Sequence, residues 1–412
     1  MAATTPPKSD HHFSISSLIS RFRAKRRTKQ TTRIPEKAQE AVQDTRPPLI
    51  ATPLPLVLPE HQQTLASLGW TTLTFPGPVP ETQLKDSTEE PQIPGPHPLQ
   101  TAYEALFTAS QAFFAQPDSE KQIWKHKLGS EEGWSKIPGE KEFITLRTLE
   151  YCPEILRAPA ERYWNLMGTH LSNTLGRIST TLNLPDNDDD DDNDDGDSSK
   201  GLRQFIGPCG TMQPTDSAKT ATMLRLFRYE GWQAKEVAEP HADLGLLSVV
   251  VGNVPGLEVW DGLTWFACEK EVLNAGRKGA TMLVGRQLER LSNGRYAAGG
   301  HRVVSYGAPR PKAKHTSPPA FTDADPSAEE KQYRYSIVFV LRAHEPVIIH
   351  SSDFETEVTG KWLEPMMNVT AGRFYEQIRG RHFNINIDVE EREKQRRKVR
   401  RVKEKEGLGS SG

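Results

Sequence analysis

EPHADLGLLSVVVGNVPGLEVWDG, residues 239–262, decides how this chain is read. Two metal-competent side chains, His241 and Asp243, stand at the head of a Val- and Leu-rich run, and Gly-Asn and Pro-Gly punctuation marks strands joined by tight turns. Side chains at i and i+2 of a strand share a face, so His241 and Asp243 look the same way. An imidazole and a carboxylate on one wall of a pocket need one further ligand to hold a divalent metal with coordination positions to spare. Taken alone, an H-x-D pair is more often a solvated strand entrance, so its meaning depends on the rest of the chain.

The same strand signature recurs on both sides. ATMLRLFRYEG (221–231), GLLSVVVGNV (245–254), LEVWDG (257–262), TWFACE (264–269), ATMLVG (280–285), HRVVSYG (301–307) and YRYSIVFVLRAH (333–344) are short, β-branched or aromatic, and bounded by turn residues. Many short strands with frequent turns predict a sandwich or barrel. The first half carries the other period: PLQTAYEALFTASQAFFAQ (98–116) and APAERYWNLMGTHLSNTLGRISTTLNL (158–184) return apolar residues every three to four positions, as helices do. PLIATPLPLVL (48–58) and TTLTFPG (71–77) read as extended pieces flanking a helical EHQQTLASLGW (60–70), and KWLEPMMNVTAGRFYEQIRG (361–380) as a return to helix. The expectation is an α+β protein in which a helix-rich N-terminal region buttresses a double-sheet β core, with a C-terminal helix.

Composition excludes several classes. The 412 residues are 35% apolar with a formal net charge of -2, as a globular chain should be. No run approaches the roughly 18 apolar residues of a membrane span, and no secretory signal pattern opens the chain. The expected setting is therefore intracellular and cytoplasmic, unless the basic start directs the chain to the nucleus or a mitochondrion. Cys152, Cys209 and Cys268 are too few and too scattered for a disulfide framework or zinc cluster and read as small buried hydrophobes.

Charge is segregated along the chain. Eight Lys or Arg stand against Asp10 alone in residues 1–34, and Ile15, Leu18, Ile19 and Phe22 there share one helical face, a pattern common to transit peptides and plain basic tails. DNDDDDDNDDGD (186–197) repels itself and reads as a solvated loop; as a calcium loop it fails, because Leu202 stands where a bidentate Glu is needed. EEREKQRRKVRRVKEKE (390–406) suits an exposed helix with i,i+4 pairing. GLGSSG (407–412) matches a dinucleotide fingerprint only in letters, lacking the strand and helix that give it meaning. The organisation predicted is a basic tail (1–47), a helix-rich region (48–185), an acidic loop (186–200), a β core (201–386) and a basic C-terminal tail (387–412).

A candidate third ligand comes from GGHRVVSYG (299–307), where His301 opens another apolar strand and Gly299 and Gly300 allow close backbone approach. Two histidines and one carboxylate with open positions form the arrangement used by non-haem Fe(II) oxygenases. In YRYSIVFVL (333–341), Arg334 and Ser336 share a face. An arginine in an apolar strand is costly unless it meets an anion, and its fork fits a carboxylate. The plainer reading of Arg334 is an internal salt bridge to a buried carboxylate.

Together these pieces resemble the isopenicillin N synthase-like branch of the Fe(II)/2-oxoglutarate-dependent dioxygenases. The resemblance rests on His241-x-Asp243, VPGLEVWDG (254–262) with TWFACE, LERLSNGRYAAGGHRVV (288–304), RYSIVFVL (334–341), LGWTTLTF (68–75) and FFAQPDSEKQ (113–122), and spans roughly residues 48–386. It implies a double-stranded β-helix, or jelly roll, with Fe(II) held by His241, Asp243 and His301. It also implies that Arg334 and Ser336 hold the far carboxylate of 2-oxoglutarate and that Tyr229 reaches this cosubstrate. The implied reaction consumes O2 and 2-oxoglutarate, releases succinate and CO2, and oxidises a small organic molecule, with hydroxylation as the default and specialised metabolism as the setting.

Three departures from the family pattern stand out. Phe227 replaces a polar residue common two positions before the tyrosine, APRPKAKHTSPPAFTDADPSAEEKQ (308–332) lengthens a connection that is usually short, and FPGPVP (75–80) stands where Asn-His-Gly is usual. The insertion reads as a polar surface loop. Substrate contacts are expected from GSEEGWSKIPGEKEF (129–143), with Trp134 and Phe143 as candidate wall residues that could equally be core packing, and from the C-terminal helix. The expected partner is a small neutral or weakly charged molecule met by a monomer, with neither membrane nor nucleic acid involved. Two other readings stay open: an iron oxidase of the same fold that uses no 2-oxoglutarate, and a non-catalytic or nucleic-acid-directed protein using its basic ends.

Overall fold

The computed structural model describes residues 44–75, 96–125, 131–185, 201–230, 233–307, 333–387 and 389–409, with side chains to residue 401 in the last stretch. The targeting reading of residues 1–34, the acidic loop and the 308–332 insertion fall outside the described residues. The helices include α1 (Thr64–Leu68), α2 (Pro98–Ala115), α3 (Glu154–Thr181), α4 (Cys268–Asn274), α5 (Arg286–Leu291), α6 (Ala371–Arg379) and α7 (Val389–Gly409). None of the described helices is long and apolar enough to cross a membrane.

The principal strands are β1 (Trp70–Thr74), β2 (Gly133–Ile137), β3 (Lys141–Leu146), β4 (Met223–Glu230), β5 (Ala234–His241), β6 (Leu247–Gly252), β7 (Leu257–Trp260), β8 (Trp265–Phe266), β9 (Gly279–Val284), β10 (His301–Tyr306) and β11 (Tyr333–Leu341). They form a seven-stranded sheet in the order β1-β9-β6-β11-β4-β3-β2 and a four-stranded sheet in the order β5-β10-β7-β8. Every pairing between these strands is antiparallel.

Alternation along the strands sorts two apolar layers. Leu224 and Leu226 of β4 and Phe339 of β11 face the helices, where the Trp164 ring of α3 meets Phe339 edge-on at 5.3 Å. Phe227 and Tyr229, the intervening residues of β4, face inward with Phe143 and Val250 and meet Val237, Val259 and Val303 of the smaller sheet. The α+β class is therefore as expected, and the three cysteines are free and buried.

Several local expectations shift. Of residues 361–380, the helix covers Ala371–Arg379 alone: Asn368 is left-handed at φ 58°, and Thr370 caps the helix by accepting the Arg373 N–H at 3.2 Å. GSEEGWSKIPGEKEF contributes the β2–β3 hairpin at the edge of the large sheet. Among the described residues of the C-terminal helix, charges pair at i,i+3, as in Glu391–Lys394 at 3.6 Å. That helix is also docked: Arg392, 4% exposed, donates to Glu140 at 2.6 and 2.7 Å and to Glu239 at 3.1 Å. At the other end, Arg46 donates to the carbonyls of Asn293 (2.9 Å) and Thr359 (2.8 Å).

Candidate metal centre

The ladder between β5 and β10 brings the predicted ligands together. His301 opens β10 opposite His241, which ends β5, and their ring centroids lie 4.1 Å apart. Asp243 follows two residues later and spans both rings: Oδ1 lies 4.0 Å from His241 Nε2, and Oδ2 lies 3.9 Å from His301 Nε2. These distances are too long for hydrogen bonds, and Asp243 Oδ2 is buried without a hydrogen-bond partner.

Both imidazoles are oriented from behind by the backbone. His241 Nδ1 donates to the Glu239 carbonyl at 2.7 Å, and His301 Nδ1 donates to the Gly299 carbonyl at 3.0 Å. This fixes the tautomer that leaves each Nε2 lone pair free on the Asp243 side. Burial, and then the neighbouring His301, push the His241 imidazole well below its usual value, so it is a neutral donor at pH 7. Burial works to raise the Asp243 carboxyl, but the groups around it, His301 first, outweigh burial and lower it. One ligand atom from each residue lies within 4.8 Å of the others, and this donor set of two imidazole nitrogens and a carboxylate oxygen fits a divalent transition metal.

Arg334, Ser336 and Tyr229 form a separate cluster on the inner face of the same sandwich. β4 and β11 pair Arg334 with Tyr229, and the guanidinium lies 5.7 Å from the tyrosine ring. Arg334 has a protein carboxylate for company: Nη2 donates to both Glu269 oxygens at 2.9 Å, while Glu269 Oε2 also accepts the N–H groups of Gly256 (2.9 Å) and Leu257 (2.8 Å). Gly252 and Gly256 make room for it, since a Cβ at either position would fall within 2.6 Å of the guanidinium group. Arg334 Nη1 is left buried without a partner, and Ser336 Oγ lacks a well-formed hydrogen bond, its neighbour being the Tyr229 hydroxyl. Burial pushes that hydroxyl up to about 12, so it is a neutral donor.

A cavity of about 1020 Å³ opens over the metal ligands. Its wall includes Arg225, Trp260 and Arg342 from the sheets, Tyr375 from α6, and Lys394 and Lys398 from α7. Among the described residues of 129–143, the stretch expected to supply substrate contacts, Glu131 lines the cavity. Trp134 and Phe143 lie elsewhere: the Trp134 indole donates to Glu142 at 2.7 Å, and Phe143 packs against Phe227 with ring centroids 5.5 Å apart.

Sequence reading passed over four charged groups of this interior. Glu269 grips Arg334; Glu131 pairs with Arg342 at 2.6 Å; Arg225 faces the cavity; and Lys141, 2% exposed, donates to the Ile385 carbonyl at 2.9 Å. Burial brings the Lys141 ammonium down to about 7. For Arg225 a signal existed, because in MLRLFRY it shares the i, i+2, i+4 face with Phe227 and Tyr229.

No family model matches the chain, and no curated protein matches it in sequence. Solved structures do match. JOX2 in complex with 2OG, Fe and JA aligns over 77% of this chain and 79% of its own at 15% identity, with a TM-score of 0.50. A 2OG-Fe(II) oxygenase family protein from Caulobacter crescentus covers 77% and 92% at 18% identity and 0.49, and a full-length Neurospora crassa protein in complex with alpha-KG covers 77% and 88% at 15% and 0.49. The chain shares the fold of JOX2.

Proposed function

We propose that the chain is an Fe(II)- and 2-oxoglutarate-dependent oxygenase, built on a double-stranded β-helix, that oxidises a small organic molecule. The observation behind this reading is the convergence of His241, Asp243 and His301 around an unpartnered buried carboxylate oxygen, with both Nε2 atoms freed by backbone hydrogen bonds. His241 Nε2, His301 Nε2 and one Asp243 oxygen would hold Fe(II) and leave positions open on an octahedral ion. Arg334 Nη1 and Ser336 Oγ, beside the Tyr229 hydroxyl, are the unsatisfied donors for the far carboxylate of 2-oxoglutarate. When bound, iron and cosubstrate supply the oxidising chemistry, in which O2 and 2-oxoglutarate are consumed and succinate and CO2 are released. The protein orients and dries the site: Phe227, Val250 and Val303 keep water from the inner layer, and the backbone carbonyls of Glu239 and Gly299 hold the imidazoles in place. Hydroxylation is the simplest outcome for the substrate.

One observation favours a second reading. Glu269 already neutralises Arg334, which fits an iron oxidase of this fold that takes no 2-oxoglutarate. Anaerobic titration with Fe(II) followed by 2-oxoglutarate separates the two. The proposal expects a visible charge-transfer band on the second addition. Iron binding without that band selects the second reading, and no iron binding eliminates both.

A further inference from the structure

The cavity over the metal ligands carries more cationic groups than the metal reading uses, and their partners divide them. Arg342 is committed to Glu131 at 2.6 and 3.4 Å, Arg286 to Glu289 at 2.7 Å, Arg379 to Glu376 at 3.0 Å and Lys394 to Glu391 at 3.6 Å. Lys398 is exposed to solvent at the rim. Arg225 differs from all of these. Its Nε donates to Thr145 Oγ1 at 2.7 Å, and its guanidinium lies 5.6 Å from the Phe143 ring and 6.0 Å from the Phe227 ring. The group is thus held in place by a neutral hydroxyl and two aromatic rings, with no carboxylate within ion-pair distance among the described residues. Its two Nη groups carry no hydrogen bond to the described residues and belong to a residue that lines the cavity.

Position makes this residue informative. Arg225 alternates along β4 with Phe227 and Tyr229, so it occupies the mouth end of the inner row whose deep end meets Arg334. It lines the same cavity as His241 and Asp243. A partly buried guanidinium is costly unless an anion meets it, and its fork geometry fits a carboxylate through two parallel hydrogen bonds. Glu131 is in ion-pair contact with Arg342 and Asp243 faces the metal position, so Arg225 is a positive charge on the wall with no carboxylate in contact among the described residues.

We propose that Arg225 anchors a carboxylate of the organic substrate, which makes the substrate class small organic acids instead of neutral molecules. This rests on the metal-centre reading for the identity of the site, and the aromatic layer of Phe143 and Phe227 gains a role as the platform that aims the guanidinium.

The test uses hexanoate, benzoate and phenylacetate, each beside its primary amide, titrated calorimetrically into the full-length protein in metal-free and Zn(II)-loaded forms. At least one acid should bind wild type about tenfold or more tighter than its amide, the ratio expected for a charge-assisted hydrogen-bonded pair. Arg225→Gln should erase that preference, Arg225→Lys should keep part of it, and both should leave 2-oxoglutarate affinity within about twofold. An acid that binds no better than its amide on wild type, or a preference that survives in Arg225→Gln, overturns the assignment. Loss of 2-oxoglutarate affinity in Arg225→Gln overturns it too, by giving the carboxylate at Arg225 to the cosubstrate. Circular dichroism checks that each variant folds, and Arg225→Lys decides the matter if Arg225→Gln does not. Because the acid preference is also read without metal, failure of the iron reading and failure of this one give different results.

Discussion

Two arginines face the inside of the same sheet sandwich, and they live under opposite conditions. Arg334, 3% exposed, sits at the deep end, where Glu269 takes Nη2 through both oxygens and one nitrogen is left over. Arg225 sits at the mouth, where a threonine hydroxyl and two aromatic rings hold it and the whole Nη edge is left over. The deep site is nearly neutral before any ligand arrives, and the mouth is not. A ligand carboxylate at the deep end would therefore be gripped by hydrogen-bond geometry, whereas one at the mouth would be drawn by net charge. The metal ligands lie close to the charged end.

The largest expected effect removes the group that gives both ends their meaning. Asp243→Ala should abolish Fe(II) binding, read by anaerobic calorimetry, and with it any turnover; retained iron affinity would show that the two histidines alone define the site. Arg334→Ala comes next and acts on the deep end only. It leaves Glu269 buried with its charge, but the Gly256 and Leu257 N–H groups still satisfy one oxygen, so the loss in urea unfolding should fall near about 3 kcal/mol, the low end for a broken buried pair. Iron affinity should stay while the 2-oxoglutarate needed for half-saturation rises. Equal loss of iron in both variants would break the division into mouth and depth.

A smaller effect belongs to the mouth and depends on pH. Burial would raise the Glu131 carboxyl, but Arg342 in contact, with Arg225 and Arg147 nearby, brings it down to about 2 from 4.5. A carboxyl held below its unfolded value stabilises the fold above that value and loses the contribution as pH falls through the folded one. Wild type should therefore lose more stability than Glu131→Gln between about pH 5 and pH 2, by about 1–2 kcal/mol once the 31% exposure of the side chain is allowed for. Parallel acid-unfolding curves for the two proteins would remove the mouth pair from the account.

Much of this site was legible because its residues break local rules. His241 and Asp243 interrupt an apolar run, and Arg334 interrupts another, so strand alternation alone set their directions. Glu269 gave no such signal: it opens α4, where an acidic residue is ordinary, and only the fold brings the N–H groups of Gly256 and Leu257 to it. β4 shows the limit differently, for it carries two arginines on opposite faces. Arg228 turns outward to the Phe114 carbonyl and Glu142 while Arg225 turns in, and composition does not distinguish them. The β2–β3 hairpin was masked by its own charges, since Lys141 and Glu142 are both 2% exposed and are satisfied by residues distant in sequence.

Trp134 offers the mildest test, outside both ends of the row. Its indole N–H is one of three donors on Glu142, the others coming from Lys121 and Arg228, and its ring lies 5.5 Å from the Lys121 ammonium. Trp134→Phe removes one donor and keeps the aromatic bulk. A hydrogen bond to a charged acceptor is worth more than a neutral one, but two cations remain on this carboxylate, so the expected loss in urea unfolding is about 1 kcal/mol. Binding of the acid probes should not change, because Trp134 does not line the cavity. A weakened acid preference with unchanged stability would instead make Trp134 a wall of the substrate site and carry the mouth further along the β2–β3 hairpin than Glu131.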